Sequence, residues 1–138
     1  MSGLYEKWKQ NLLTAATDSD LDGTGSTGVY AALVDKDTGY TPNYTTDQFY
    51  STVSANIVGT PVELSNKTFT NGVFDADDVV FSSVSGNSVE GVLIYRQNGG
   101  ANTTWQLVAF IDDVTPSSVT PNTGDISVTW NASGIFKL

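Results

Sequence analysis

The apolar residues of this chain follow a helical pattern near the N-terminus and short extended patterns after residue 28. Residues 89–130 hold three apolar runs, VEGVLIYR, TWQLVAFID and DISVTW, separated by loops rich in Gly, Asn, Ser and Pro. In an extended middle run, two sets of side chains would face opposite sides: Trp105, Leu107, Ala109 and Ile111 on one, and Gln106, Val108, Phe110 and Asp112 on the other. A strand that is apolar on both faces is typical of a buried position between neighbours. We therefore expect this segment to form the centre of a β-sandwich or barrel.

Two helices are predicted. Leu4, Tyr5, Trp8 and Leu12 recur at helical spacing, which predicts a helix over residues 2–13 with Ser2 as its cap. Such a short helix is marginal in isolation, so it must dock on its own domain or on a neighbouring subunit. Thr45 and Gln48 resemble a capping box, which predicts a second short helix from Thr46 to Val53.

The remaining apolar runs predict strands at Val29–Asp35, Ile57–Val58, Val62–Leu64, Lys67–Phe69 and Val79–Val84. Turn sequences at 86–88 and 98–100 predict two hairpins, which would join VVFSSV to VEGVLIYR and VEGVLIYR to TWQLVAFID. Ile126, Val128 and Trp130 alternate with polar residues, as in a strand with one wet face. We therefore expect a mainly β, single-domain β-sandwich of jelly-roll type over residues 1–138, with its β core in 28–138.

Charge and composition exclude several classes of function. The chain has 15 acidic and 6 basic residues, a net charge of −9 and no basic cluster, so we expect neither nucleic acid nor an anionic membrane as a partner. It contains no cysteine and no apolar run long enough to cross a membrane. The first ten residues lack the apolar core of a signal peptide. We expect a soluble protein made in the cytoplasm.

One short motif resembles a metal site. Asp18, Asp20 and Asp22 followed by Gly23 match the first half of an EF-hand calcium loop, in which alternate carboxylates converge on a hard cation. The second half does not match, because Val29 stands where the loop needs a bidentate Glu. The alternatives are a different kind of calcium loop and a solvated acidic loop.

Catalytic constellations are scarce. The absence of His and Cys removes the usual triads, thiol nucleophiles and zinc sites. Acid–base catalysis by carboxylates would need a deep pocket around Asp75, Asp77 or Glu90 and one carboxyl group with a raised pKa. Asp75, Asp77 and Asp78 are more typical of a polar turn beside a strand. We expect a protein that is not an enzyme and has no cofactor.

Several segments, in this order, resemble small virion proteins encoded by tailed bacteriophages. These segments are LYEKWKQNLL, VYAALVD followed by YTP, GVFDADDVVF, GVLIYR, a strand ending in ID, and PNTGDISVTWNASGIFKL. The resemblance covers most of the chain and is specific in order and spacing. The loop from Asp18 to Gly28 departs from it, so the resemblance does not bear on a calcium role there.

The resemblance implies a structural virion protein, and foremost a capsid decoration (cement) protein located on the capsid surface. It implies binding to the major capsid protein and assembly as a homodimer or homotrimer. Trp and Tyr are frequent at protein interfaces, and we predict exposure of Tyr40 and Tyr44. The predicted contact residues are Leu4, Tyr5, Trp8, Leu12, Tyr40 and Tyr44. The alternatives are a tail, neck or fibre-like component and a carbohydrate-binding adhesin.

Overall fold

A five-stranded antiparallel sheet forms the centre of the protein. A computed structural model describes residues 2–138. Its strands are β1 Gly3–Leu4, β2 Val29–Val34, β3 Ile57–Glu63, β4 Val73–Phe74, β5 Val79–Phe81, β6 Gly91–Arg96, β7 Gln106–Ile111, β8 Ile126–Val128 and β9 Phe136–Lys137. The central sheet has the order β1-β7-β6-β2-β3, and the other strands form two separate pairs, β4–β9 and β5–β8. The described chain is therefore mainly β and antiparallel, as predicted.

The N-terminal helix is shorter than predicted. Helix α1 spans Glu6–Leu13, and no side chain caps its first turn. Gly3 and Leu4 instead form β1, which pairs with Phe110 and Ala109 of β7. Ser2 does not cap the helix, since its hydroxyl oxygen instead accepts hydrogen bonds from the backbone N–H groups of Asp112 and Asp113. The free edge of β7 offers backbone partners that a longer helix could not use, so the chain begins as a strand.

The predicted second helix is absent. Residues 50–52 and 54–56 form two single 3₁₀ turns, and Thr45 and Thr46 lie in a turn closed by the Asn43 side chain. Tertiary contacts explain this outcome. The Tyr50 N–H bonds to the Trp105 carbonyl oxygen, and the Leu107 N–H bonds to the Gln48 carbonyl oxygen, each at 2.9 Å. Pairing with the start of β7 holds Phe49 extended, which a helix over residues 46–53 would not allow.

The strand predictions are confirmed in part. Strands β2, β6, β7 and β8 lie where the pattern indicated, and the turn at 98–100 joins β6 to β7 as a hairpin. The two predicted strands at Ile57–Val58 and Val62–Leu64 are one strand, β3. The segment Lys67–Phe69 makes only a single bridge, from Thr68 to Asp75. The predicted hairpin at 86–88 is wrong, because β5 pairs with β8 and β6 pairs with β2 and β7.

A β-bulge at Val108 changes which residues of β7 share a face. Tyr95 of β6 pairs with Leu107 and Ile94 pairs with Ala109, so Val108 is an extra residue without a partner. Strict alternation predicts Leu107 together with Ala109 and Ile111. The bulge instead places Leu107 with Phe110 on one face, and Val108 with Ala109 on the other. Both faces of β7 are still apolar and buried, as the sequence predicted.

Each face of the central sheet is covered by different elements. One face, the aliphatic face, carries Val29, Leu33, Val92, Ile94 and Val108. It is covered by α1 and by the two strand pairs. The opposite face, the aromatic face, carries Leu93, Tyr95, Leu107 and Phe110 and is covered by Tyr5 and by the loop over residues 36–56. Two grooves open among the elements that cover the aliphatic face.

Candidate functional site

Two grooves open on the aliphatic side of the sheet. The first, which we call the β8 groove, has a volume of about 300 Å³. Its floor includes Leu33, Val89 and Val92, and its walls are residues 113–116 and residues 126–131. Strand β8 pairs with β5 on one edge only, so among residues 2–138 its other edge has no strand partner. An apolar cleft beside a free strand edge is suited to an extended peptide segment, which could use backbone hydrogen bonds and apolar contacts together.

The second groove, which we call the helix groove, has a volume of about 190 Å³ and lies between α1 and the β4–β9 pair. Apart from Gly72, its lining is wholly apolar: Trp8, Leu12, Leu21, Phe69, Val73, Phe74, Phe136 and Leu138. Phe69 and Leu138 at its rim are 46% and 58% exposed, and Leu13 on α1 is 87% exposed. Phe69 and Leu138 are thus two of the four large apolar side chains that residues 2–138 expose, and both border this groove.

The predicted contact residues divide into three groups. Tyr5, Trp8 and Tyr40 are buried, which contradicts a surface role for them. Leu4 and Tyr44 are half-buried, and the Tyr44 ring packs 5.3 Å from that of Tyr5. Leu12 is half-buried and lines the helix groove. The helical stripe correctly predicted that Trp8 of α1 faces the domain, but it did not predict which apolar side chains of α1 are exposed.

The buried tyrosines form a hydrogen-bonded chain. The Tyr5 and Tyr40 hydroxyl oxygens lie 2.7 Å apart, and the Tyr40 hydroxyl donates to Asp47 Oδ2 at 2.6 Å. Burial raises the pKa of both phenols well above the usual range. Burial also raises the pKa of Tyr44 to about 12. A Pro- and Asn-rich loop predicted exposure for Tyr40, but Asp47 provides the acceptor that lets its hydroxyl be buried.

In the acidic loop at Asp18–Gly23, two carboxylates pair with a basic side chain of the same protein, Arg96. Arg96 is only 5% exposed, and its guanidinium contacts Asp20 Oδ1 at 2.6 Å and Asp18 Oδ1 at 3.3 Å. The Arg96 Nε also donates to the Asp20 carbonyl oxygen. Asp22 is exposed. In the part of the chain that the structure describes, no group of three acidic side chains is placed to hold a metal ion.

A second polar cluster lies where β2 ends, β6 begins and β7 ends. Glu90 is 6% exposed and accepts hydrogen bonds from the Lys36 N–H and the Ser118 hydroxyl, each at 3.0 Å. Burial would raise its pKa, but the hydrogen bonds outweigh burial and hold the pKa below the usual range. Lys36 Nζ pairs with Asp112 at 2.6 Å. A carboxyl group that stays ionised is a poor general acid, and these contacts instead tie three strand ends together.

The aspartates beside β5 also have structural partners. Asp77 Oδ2 accepts a hydrogen bond from Asn66 Nδ2 at 2.6 Å, and Asp78 Oδ1 accepts one from the Trp130 N–H at 2.9 Å. Asp75 bonds to the next backbone N–H. These contacts fasten the turn to its neighbours, as the polar-turn interpretation predicted.

The sequence analysis missed the residues that form the groove surfaces. Phe69 and Leu138 are exposed where they border the helix groove, and alternation alone gives no reason to single them out. The free edge of β8 was also missed, because side-chain alternation does not determine which strands pair. No sequence signal distinguished Phe69 and Leu138, because an apolar residue that stays exposed looks the same in a sequence pattern as one that is buried.

Comparison with known proteins gives no assignment. No protein-family model matches the chain, and no curated protein matches it. No helix among residues 2–138 is long and apolar enough to cross a membrane.

Proposed function

We propose that this protein is a structural component of a tailed-phage virion, namely a capsid decoration protein that binds and stabilises the major capsid shell. The sequence resemblance supports this proposal, and the β8 groove is the observation that carries it. A decoration protein needs a rigid surface that grips a segment of a shell subunit. A 300 Å³ apolar cleft beside an unpaired strand edge has that form.

The fold and the electrostatics fit the same role. The two strand pairs packed on the aliphatic face form a second layer, and we propose that the whole is a β-sandwich related to the jelly-roll class. A net charge of −9 opposes binding to packaged nucleic acid and to anionic membranes. The role we propose involves no catalysis and no cofactor, and it locates the protein on the capsid surface after synthesis in the host cytoplasm.

Co-sedimentation with phage heads that lack the protein tests this proposal. We expect binding that saturates at hundreds of copies per head and raises the temperature at which the heads break. A low copy number at the tail or neck, or no binding to heads, would refute the decoration role and favour the tail component or the glycan-binding adhesin. Deleting residues 2–13 is not a useful test, because Tyr5 and Trp8 belong to the core and the deletion would unfold the domain.

A matched pair of variants locates the binding surface. Asn131 lines the β8 groove, whereas Asn122 lies outside it; both are exposed, and each side-chain oxygen accepts the backbone N–H two residues later. Asn131→Arg should place a long cation in the groove and weaken head binding at least about tenfold, or about 1.4 kcal/mol. Asn122→Arg should bind like the wild type. Equal binding by both variants would exclude the β8 groove as the contact.

A further inference from the structure

Two Asn-Gly pairs occur in the chain, Asn71-Gly72 and Asn98-Gly99. Such a pair can rearrange in water without an enzyme, because glycine has no side chain to keep its backbone nitrogen away from the asparagine carboxamide. The reaction requires an asparagine side chain that is free to turn toward that nitrogen. The structure holds the two asparagine side chains differently, so the two pairs should differ in reactivity.

Asn98 is held at both ends of its carboxamide. Its Oδ1 accepts hydrogen bonds from the Gly100 N–H at 3.0 Å and from the Thr104 hydroxyl at 3.1 Å. Its Nδ2 donates to Asp18 Oδ2 at 3.2 Å. Asn98 is also half-buried. These hydrogen bonds must break before the carboxamide can turn toward the Gly99 nitrogen.

Asn71 lies at the surface and is held less firmly. It is exposed, and within residues 2–138 its carboxamide makes no hydrogen bond. It belongs to a single 3₁₀ turn over Thr70–Gly72, in which its φ is 56° and its ψ is 33°. Gly72 is exposed as well. A single turn at the surface opens at a small cost in free energy, so the Asn71 carboxamide can reach the Gly72 nitrogen while the rest of the protein stays folded.

We propose that Asn71 is a site of spontaneous covalent modification, with water as its only co-reactant. The Gly72 nitrogen loses its proton and attacks Asn71 Cγ. The new C–N bond closes a cyclic imide, and the carboxamide nitrogen takes up a proton and leaves as ammonia. Water then opens the imide at either of its two carbonyl groups. One opening gives aspartate with the normal backbone, and the other gives isoaspartate, in which the chain continues through the side-chain carbon.

The reaction changes the charge of the protein and, in one product, its backbone. Each event adds one carboxylate to a chain whose net charge is already −9. The Gly72 carbonyl oxygen accepts the Leu138 N–H at 2.9 Å, next to the pair of β4 with β9. Isoaspartate inserts a backbone carbon directly before Gly72. It should therefore displace this hydrogen bond and loosen the C-terminal strand, whereas the aspartate product should leave both in place.

Peptide mapping of the full-length folded protein tests the site. The protein is incubated at mildly alkaline pH, which favours loss of the Gly72 proton, and is then unfolded and cleaved after lysine and arginine. Asn71 falls in peptide 68–96 and Asn98 in peptide 97–137. Mass spectrometry with fragmentation follows the conversion of each amide into an acid. Asn71 should react at least about tenfold faster than Asn98, because several hydrogen bonds must break at Asn98. In urea the two rates should become similar.

Two variants serve as controls. Asn71→Asp should abolish the mass gain in peptide 68–96. Thr104→Val removes one hydrogen bond from Asn98 Oδ1, so it should speed the reaction at Asn98 about fivefold in the folded protein. It should leave the rate at Asn71 unchanged.

Several results would overturn the proposal. They are an Asn71 that remains an amide in the folded protein, equal rates at the two pairs in the folded protein, and an unchanged ratio of the rates in urea. The imide route also requires two product peptides of equal mass, with aspartate and with isoaspartate, and a single product would exclude it. Since phage heads are absent, none of these results bears on the proposed shell binding.

Discussion

The two faces of the central sheet differ in what covers them. We connect one face with the stability of the fold and the other with the proposed binding surface. The aromatic face is covered by Tyr5 and by one continuous loop, in which Tyr40 is hydrogen-bonded to Tyr5 and to Asp47. The aliphatic face is covered by α1 and two strand pairs of only two or three residues per strand. Such short elements cannot cover a whole face of the sheet, and both grooves open on the aliphatic face. The closed face stabilises the fold, while the incompletely covered face carries the groove that we propose as a binding surface.

The largest expected effect is on the closed face. Phe110 is fully buried between Tyr40 and the Gly91 backbone, where any Cβ at position 91 would collide with the Phe110 ring. Phe110→Ala should lower the free energy of unfolding by about 3–5 kcal/mol. Leu138→Ala, at the rim of the helix groove, should change it by less than about 0.5 kcal/mol. Urea denaturation measures both, and similar losses would erase the distinction between the faces.

A smaller loss of unfolding free energy is expected at Glu90, which lies at one end of the central sheet, directly before β6. Glu90→Gln weakens buried hydrogen bonds to a charged acceptor and should cost about 1.5–3 kcal/mol at pH 7. The folded-state pKa of Glu90 lies below its unfolded value of about 4.3, so this stabilisation is complete above about pH 4.3 and is lost as pH falls below it.

Denaturation of the wild type and the Glu90→Gln variant at a series of pH values checks this linkage. The difference between the two proteins should shrink between pH 5 and 3 because the wild type alone must protonate Glu90. A difference that stays constant over that range would show that Glu90 contributes packing and no charge.

The smallest effect distinguishes the members of the tyrosine chain. Tyr40→Phe leaves the buried Tyr5 hydroxyl without its partner and removes a donor to Asp47, so it should cost about 1–2 kcal/mol. Tyr5→Phe keeps the bond from Tyr40 to Asp47 and should cost less than about 1 kcal/mol. Thermal unfolding of both variants measures the order, and the reverse order would mean that Asp47 is satisfied without Tyr40.

Some predictions from short turn sequences were correct because the geometry of a turn depends on residues that are neighbours in sequence. The 98–100 turn produced a hairpin, since Asn and Gly supply the geometry of a tight turn wherever they occur between strands. The 86–88 turn has similar residues, yet no hairpin formed. There β2 competes for the edge of β6 and pairs with it along six residues, from Val29 to Val34. A turn sequence allows a hairpin, but the available strand edges decide whether one forms.

The candidate surfaces were harder to predict than the fold. Of the stripe Leu4, Tyr5, Trp8 and Leu12, only Trp8 and Leu12 lie on α1, and a stripe cannot distinguish a core contact from an exposed patch. Trp8 is buried because its Nε1 donates to the Ser19 carbonyl oxygen and its ring packs against Phe136. Similarly, Asp18 and Asp20 resemble metal ligands until Arg96, 76 residues away from Asp20, is brought beside them.

The sequence by itself determined the mainly β class, the burial of the strand β7 on both faces, and the helical stripe of α1. These features follow from side-chain periodicity, which is a property of neighbouring residues. The tertiary structure alone decided the strand order, the bulge at Val108, the burial of Tyr40 and the positions of both grooves. Each of these features depends on which distant segment pairs with a strand edge or forms a hydrogen bond to a buried polar group. Segments from the whole chain compete for these positions.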